Sequence, residues 1–209
     1  MVFNKLHSSR TLISPRDNYP YVILSTAANP LHIGHISMLK SAAKITNAIP
    51  VIELAANNAD KGVLSGDEIE KRINPMINAG YHYIISNISS YIGKTIEYNQ
   101  YVNFISNYKF VIGSDTFERI LNPDQFIFGD YEELYNKLVT LLYGKFIIFN
   151  RPGYKTVSQL WEEFSKKVEF PCEYEHLFGG ISLEESNKSI VLNSDLDISS
   201  TKIREKNAK

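Results

Sequence analysis

The sequence has a single cysteine, a single tryptophan and a net charge of only −1 in 209 residues. Cys172 cannot form a disulfide within the chain, which is typical of a protein from a reducing compartment. A charge balance so close to zero argues against a protein built mainly to hold nucleic acid or an anionic membrane. Any anionic ligand must therefore be bound by a local group of side chains.

Long apolar runs are also lacking. No segment approaches the roughly 18 consecutive apolar residues of a membrane helix. Residues 1–18 lack the apolar stretch of a secretory signal. We therefore expect a cytoplasmic protein with neither a membrane nor a nucleic-acid partner. The chain is predicted to form a loosely ordered arm over residues 1–18 and one domain over residues 19–209, and the sequence leaves open whether it forms a homo-oligomer.

Short runs rich in Val, Ile, Tyr and Phe alternate with helical patterns along the chain. Strands are predicted at residues 21–25, 50–55, 81–86, 110–114, 145–150 and 189–193. Helices are predicted at residues 35–46, 67–79, 95–107, 115–121, 132–143 and 157–168. This alternation predicts an α/β fold with a Rossmann-like, doubly wound parallel sheet flanked by helices.

Two histidines stand at the start of the first predicted helix, in the segment NPLHIGH at residues 29–35. Ligands of such folds bind at the carboxyl ends of the strands, where helix N-termini present free N–H groups. His32 and His35 are three residues apart and can face one ligand, and Gly34 lets that ligand approach the backbone. The segment predicts a cradle for a polyphosphate. Taken alone, so short a pattern is equally compatible with a solvated surface loop.

A second segment, ISSTKIR at residues 198–204, follows the last predicted strand. Its three hydroxyl residues, Ser199, Ser200 and Thr201, can cap a final helix. Arg204, in the first turns of that helix, can bind phosphate oxygens through a bidentate fork. Alone, this pattern is more often a capped surface helix. In one chain with the histidine segment, it predicts a nucleotide site.

With these two segments the chain resembles the nucleotidylyltransferases of the H-x-G-H class, in particular the nicotinate and nicotinamide mononucleotide adenylyltransferases. VIGSDTF (111–117) resembles their G-x-D segment beside the adenosine ribose, and FIIFNRPGY (146–154) resembles their fifth strand and the turn near adenine. NNADK (57–61) and LSGDEIEKR (64–72) are similar to a bacterial and plant cytidylyltransferase-like branch. The resemblance spans residues 21–206.

The sequence offers no nucleophile beside a base and no cluster with metal-ligand spacing. We therefore expect direct in-line attack by an acceptor phosphate on ATP, with Mg²⁺ held through the ATP phosphates. The resemblance implies catalytic roles for His32, His35 and Arg204. The nucleotide-binding residues that it implies are Thr26, Ala27, Gly34, His35, Gly113, Asp115, Arg151, Ser199, Ser200 and Thr201. The acceptor-binding residues that it implies are Asn29, Lys61 and Arg72, although a loop lysine and a helix arginine are as commonly solvated.

Two departures from the family pattern leave the acceptor open. Thr26, Ala27 and Ala28 stand where the family usually has a Gly-Gly or Gly-Ser pair and a phenylalanine. Nicotinate-specific enzymes have a tryptophan after the G-x-D segment, whereas Trp161 lies too far along the chain. We expect AMP transfer to a pyridine mononucleotide, as in NAD biosynthesis. The alternatives are a pantetheine-phosphate adenylyltransferase, a cytidylyltransferase and a non-catalytic nucleotide-binding relative.

Overall fold

The computed structural model describes residues 19–58, 62–100, 107–121, 146–167 and 190–193. Its elements follow the chain in the order β1 (Tyr21–Thr26), α1 (Ile33–Thr46), β2 (Ile49–Ala55), β3 (Asn57–Asn58), β4 (Gly62–Val63), α2 (Gly66–Asn78), β5 (His82–Ser86), α3 (Tyr91–Gln100), β6 (Tyr108–Gly113), α4 (Ser114–Ile120), β7 (Phe146–Asn150), α5 (Val157–Lys167) and β8 (Ile190–Asn193). The described residues up to Val111 belong to one compact unit, and those from Ile112 onward belong to a second.

The sheet of the first unit is parallel. Strand β1 pairs with both β2 and β6, so that Tyr21 lies opposite Ile49 on one side and Tyr108 on the other. Strand β2 pairs in turn with β5. In the second unit, β7 and β8 pair in parallel from Ile147 and Ile190 onward. Strand β6 contributes residues to both units, and the strand order is β5-β2-β1-β6-β7-β8. The predicted Rossmann-like α/β fold is confirmed.

The strands form where the sequence supplies short apolar runs without helical period. Val22, Ile23, Ile52 and Leu54 are fully buried in β1 and β2. Successive side chains of a strand point to opposite faces, so burial of neighbouring residues means that both faces of the sheet are covered. All six predicted strands are observed within two residues of their predicted bounds.

Helix α2 begins where the sequence supplies a serine cap. Ser65 Oγ accepts a hydrogen bond from the Glu68 N–H at the start of α2, as a serine N-cap does. Helix α3 begins at Tyr91, four residues before the predicted start, and the helix predicted at residues 132–143 lies outside the described residues. The short hairpin of β3 and β4 was not predicted. Among the described residues, no helix combines the length and apolarity that a membrane-spanning segment requires.

Candidate functional site

The loop from β1 to α1 carries the chain from a strand end to a helix N-terminus. Its backbone turns at Ala28, whose φ of 46° lies in the left-handed region. A side chain disfavours this conformation, which is usual for glycine. The Thr26 hydroxyl supports the turn, because its Oγ1 accepts a hydrogen bond of 3.0 Å from the Ala28 N–H. The Thr26 hydroxyl thus stabilises a left-handed turn at a residue that carries a Cβ.

The two histidines of the segment lie together at the mouth of α1. His32 is the N-cap residue, with extended backbone, and His35 lies in the first turn. Their rings are stacked, with centroids 3.7 Å apart and an interplanar angle of 25°. Gly34 between them is buried. The first N–H groups of a helix have no acceptor within the helix, so this end attracts anions. The structure therefore brings two imidazoles and a helix N-terminus to one place.

A threonine hydroxyl links the loop to the second histidine. Thr26 Oγ1 lies 3.5 Å from His35 Nε2, across the mouth of the helix. Because this oxygen accepts its hydrogen bond from the Ala28 N–H, its own proton can be directed toward His35. The position of the His35 ring is therefore coupled to the conformation of residues 26–28.

Arg72 holds the same loop from helix α2. Its Nη1 donates to the Ala27 carbonyl at 3.0 Å, and its Nε and Nη2 donate to the Glu68 carboxylate at 3.2 and 2.9 Å. The guanidinium beside Glu68 lowers the pKa of that carboxyl. A guanidinium has five N–H groups, and groups of the described residues accept from three of them. Asn29, a second predicted acceptor-binding residue, lies half-buried in the loop.

A buried ionic cluster, not predicted from the sequence, lies at the carboxyl end of β1. We call it the Lys94 cluster, and it consists of Ser25, Glu53, Lys94 and Tyr98. Lys94 Nζ lies 2.6 Å from Glu53 Oε1 and donates a 2.6 Å hydrogen bond to Ser25 Oγ. Ser25 in turn donates to Glu53 Oε1 at 3.0 Å. The Lys94 and Glu53 side chains are only 2% and 0% exposed.

Tyr98 completes the cluster. Its hydroxyl donates to Glu53 Oε2, the oxygen that Lys94 does not contact. Burial and the adjacent Glu53 carboxylate raise the pKa of the Tyr98 phenol far above its usual range, so it remains a donor. The carboxylate thus receives three hydrogen bonds or ionic contacts inside the core. The sequence carried one signal of this cluster, since Glu53 interrupts an otherwise apolar strand.

Three predicted nucleotide-binding residues come together in the second unit. Strand β6 ends at Gly113, and Asp115 in the first turn of α4 pairs with Arg151 after β7, with 2.9 Å between Oδ2 and Nη1. A Cβ at Gly113 would clash first with Asp115 Oδ1 and would lie 2.9 Å from Arg151 Cδ, so a larger residue would displace both partners of this ion pair. The Arg151 guanidinium also lies over the ring of Tyr154, 4.9 Å from its centroid. This arrangement combines a carboxylate, a planar cation and an aromatic ring.

Several predicted residues lie outside the described part of the chain. They are Lys61, Ser199, Ser200, Thr201 and Arg204. Within the described residues, no three His, Cys, Asp or Glu side chains are grouped as a metal site. A magnesium ion that is bound through nucleotide phosphates requires no such group.

Comparisons with known proteins identify the family and the fold of the chain. The sequence profile of the cytidylyltransferase-like family matches residues 23–206. Among solved structures, the chain is similar to the Plasmodium falciparum nicotinic acid mononucleotide adenylyltransferase complexed with APC, with a TM-score of 0.52 and 15% identity. That match covers 90% of this chain and 83% of the other. The comparison with curated proteins gives no match.

Proposed function

The chain belongs to the cytidylyltransferase-like family and is a nucleotidyltransferase, and on that premise we propose that it transfers AMP from ATP to a pyridine mononucleotide, with release of pyrophosphate. The acceptor would be nicotinamide or nicotinate mononucleotide, and the product a dinucleotide of the NAD type. The name of the structural relative, a nicotinic acid mononucleotide adenylyltransferase, supports this choice of acceptor.

The stacked pair of His32 and His35 at the N-terminus of α1 carries the proposal. Two imidazoles 3.7 Å apart beside a helix N-terminus form a dense set of donors for one anionic group. Such a set is of most use where negative charge grows during a reaction. The α-phosphate of ATP under attack is a group of this kind.

In the proposed reaction an oxygen of the acceptor phosphate attacks the α-phosphorus of ATP. A new P–O bond forms, and the bond to the bridging oxygen breaks, so pyrophosphate leaves with the electron pair. His32 and His35 hold the transferring phosphate, and His35 stabilises the charge that develops on it. Magnesium bound to the ATP phosphates would neutralise part of their charge. Ser199, Ser200, Thr201 and Arg204 are proposed to hold the leaving pyrophosphate.

The remaining proposed roles concern the nucleotide and the acceptor. Thr26, Ala27 and Gly34 would contact the nucleotide phosphates through the loop and helix backbone. Asp115 would accept hydrogen bonds from the ribose hydroxyls, while Gly113 and Arg151 would lie against the adenine. Asn29, Lys61 and Arg72 would bind the acceptor. For Arg72 the donors would be the two N–H groups that Ala27 and Glu68 leave over.

Pyrophosphate release tests the proposal. The protein would be incubated with Mg²⁺ and ATP, or with CTP, and with one acceptor at a time: nicotinamide mononucleotide, nicotinate mononucleotide, phosphopantetheine or glycerol phosphate. We expect turnover with ATP and a pyridine mononucleotide. Turnover with CTP only, or with a non-pyridine acceptor only, would reject the proposed substrates. Nucleotide binding without turnover on any acceptor would indicate a non-catalytic relative.

His35→Ala tests the proposed catalytic role of the histidine pair. Removal of one preorganised donor to a developing charge should lower kcat by about 10²–10³-fold. His82→Ala is the matched control, because His82 is exposed at the start of β5 and should leave kcat unchanged. Equal kcat values for the two variants would contradict the role of His35.

A further inference from the structure

Burial of the two charges of the Lys94 cluster costs desolvation free energy, so a contribution to stability does not explain why the cluster is there. Lys94 and Glu53 are both withdrawn from water, and desolvation of two charges offsets most of their attraction. Well-packed apolar side chains at the two positions would serve the core as well or better. The cluster is therefore best understood through the groups that it places, and the group nearest to the proposed site is Ser25.

Ser25 connects the cluster to the loop. It is the second-last residue of β1, and its Oγ accepts a hydrogen bond from Lys94 while it donates one to Glu53. The next residue, Thr26, contacts His35 Nε2 and accepts from the Ala28 N–H. The backbone between Ser25 and Thr26 thus joins the Lys94 cluster to the residue whose hydroxyl lies 3.5 Å from the ring of His35.

The same contacts favour a structural over a nucleophilic role for Ser25. A serine becomes a nucleophile when an adjacent general base takes its proton. The acceptor of the Ser25 proton is the Glu53 carboxylate, which is fully buried and already engaged by Lys94 and Tyr98. The ammonium group of Lys94 donates to Ser25 and cannot accept a proton from it. The Ser25 hydroxyl is therefore held in place both as a donor, to Glu53, and as an acceptor, from Lys94.

We propose that Lys94 and Ser25 are positioning residues, which fix the end of β1 and the turn at residues 26–28 so that His35 is held at the transferring phosphate. This inference rests on the proposed function. Catalysis by a preorganised donor depends on its location within a fraction of an ångström. Because Ala28 is not a glycine, its left-handed backbone conformation is strained. The geometry of the turn therefore depends on the residues that hold it, which are Ser25 at the end of β1 and Arg72 on α2.

Ser25→Ala is the decisive variant, because it removes the link between the cluster and the loop and leaves the Lys94–Glu53 pair intact. Tyr108→Phe is the matched control. It removes the hydroxyl that donates to the Thr95 carbonyl, a hydrogen bond to helix α3 that does not involve the loop. Ser25→Ala removes two hydrogen bonds and Tyr108→Phe removes one, so the kinetics of both variants are compared well below their measured melting temperatures. Ser25→Thr keeps the hydroxyl and is the conservative variant.

In steady-state kinetics we expect kcat of Ser25→Ala to fall by about 10–100-fold, the scale of a small misplacement of catalytic groups. The KM for ATP should change less than kcat, because the lost alignment acts mainly on the transition state. Ser25→Thr should recover most of kcat, and Tyr108→Phe should retain it. A kcat of Ser25→Ala equal to that of Tyr108→Phe would overturn the proposal.

A second readout separates this proposal from the proposed function. Stacked imidazoles shift each other's ring resonances, so NMR of histidine-labelled protein reports the His32–His35 geometry without any turnover. The His35 signals, assigned by their loss in His35→Ala, should move in Ser25→Ala and stay in Tyr108→Phe. This result would support the positioning role even in a protein without turnover. Unmoved His35 signals in Ser25→Ala would overturn it.

Discussion

Removal of the buried ammonium group of Lys94 should be among the most destabilising single changes in the first unit. Lys94→Met keeps most of the aliphatic stem and deletes the group that contacts both Ser25 and Glu53. Among the described residues, the Glu53 carboxylate, which is 0% exposed, would retain two hydroxyl donors. Breaking one partner out of a buried ion pair costs about 3–5 kcal/mol. We expect a loss of about 3 kcal/mol, because the hydroxyl groups of Ser25 and Tyr98 compensate part of the charge.

The loss of unfolding free energy in Lys94→Met should depend on the charge of Glu53. Glu53→Gln alone leaves Lys94 without an anion and turns an amide N–H₂ toward existing donors, so it should also cost about 3 kcal/mol. In the double variant neither charge is left unpaired. Its loss should be smaller than the sum of the single losses by about 2 kcal/mol, within the range of coupling between residues in contact.

Urea unfolding followed by far-UV circular dichroism measures these free energies, because it reports on the helices and strands of the whole chain. The only tryptophan, Trp161, lies in α5 of the second unit and is a poor probe for this purpose. Lys71→Met is the matched control, since the Lys71 side chain is 79% exposed and should contribute less than about 0.5 kcal/mol. Single losses below about 1 kcal/mol, or losses that simply add, would refute the reasoning.

Two further predictions concern the loop and the core tyrosines. Ala28→Val should lower the free energy of unfolding by about 2 kcal/mol relative to Ala28→Gly, because a β-branched residue is strained at a φ of 46°; equal urea midpoints would contradict this. Burial raises the pKa of Tyr108 from 10.0 to about 12, and that of Tyr98 rises further still. Their contribution to stability is complete below pH 10.0 and is lost as the pH rises. In an alkaline titration of tyrosinate absorbance, at least these two of the 13 tyrosines should ionise only with unfolding; ionisation of all 13 near their ordinary pKa in a folded protein would contradict it.

The sequence predicted the sheet well because its strands are apolar on both faces. Runs such as that of β1 and β7 have no helical period and are too short for a helix, so only one interpretation fits them. The hairpin of β3 and β4 has two residues in each strand, which is too few for any pattern to appear. The spacing of His32 and His35 was enough to predict that their side chains face the same side, because residues three apart in a helix are neighbours.

The Lys94 cluster escaped prediction for a local reason. The helix predicted at residues 95–107 did not include Lys94. The observed helix begins earlier, since Ser90 Oγ accepts a hydrogen bond from the Gly93 N–H and caps the first turn. Lys94 thereby became a residue of a helix rather than of a loop. Its partner Glu53 lies 41 positions away in sequence, and only the packed fold brings them together.

The pairing of Ser25 with Glu53 also bears on how the sheet is assembled. Apolar strands covered on both faces can slide by one residue and still bury the same kind of side chain, so hydrophobicity alone does not select their alignment. In the observed alignment Ser25 lies opposite Glu53, near the carboxyl ends of β1 and β2. A shift by one residue would turn the glutamate away from its serine and leave an acid buried among hydrocarbon. The ion pair therefore penalises misaligned versions of the sheet, and it distinguishes the native arrangement from its nearest competitors during folding.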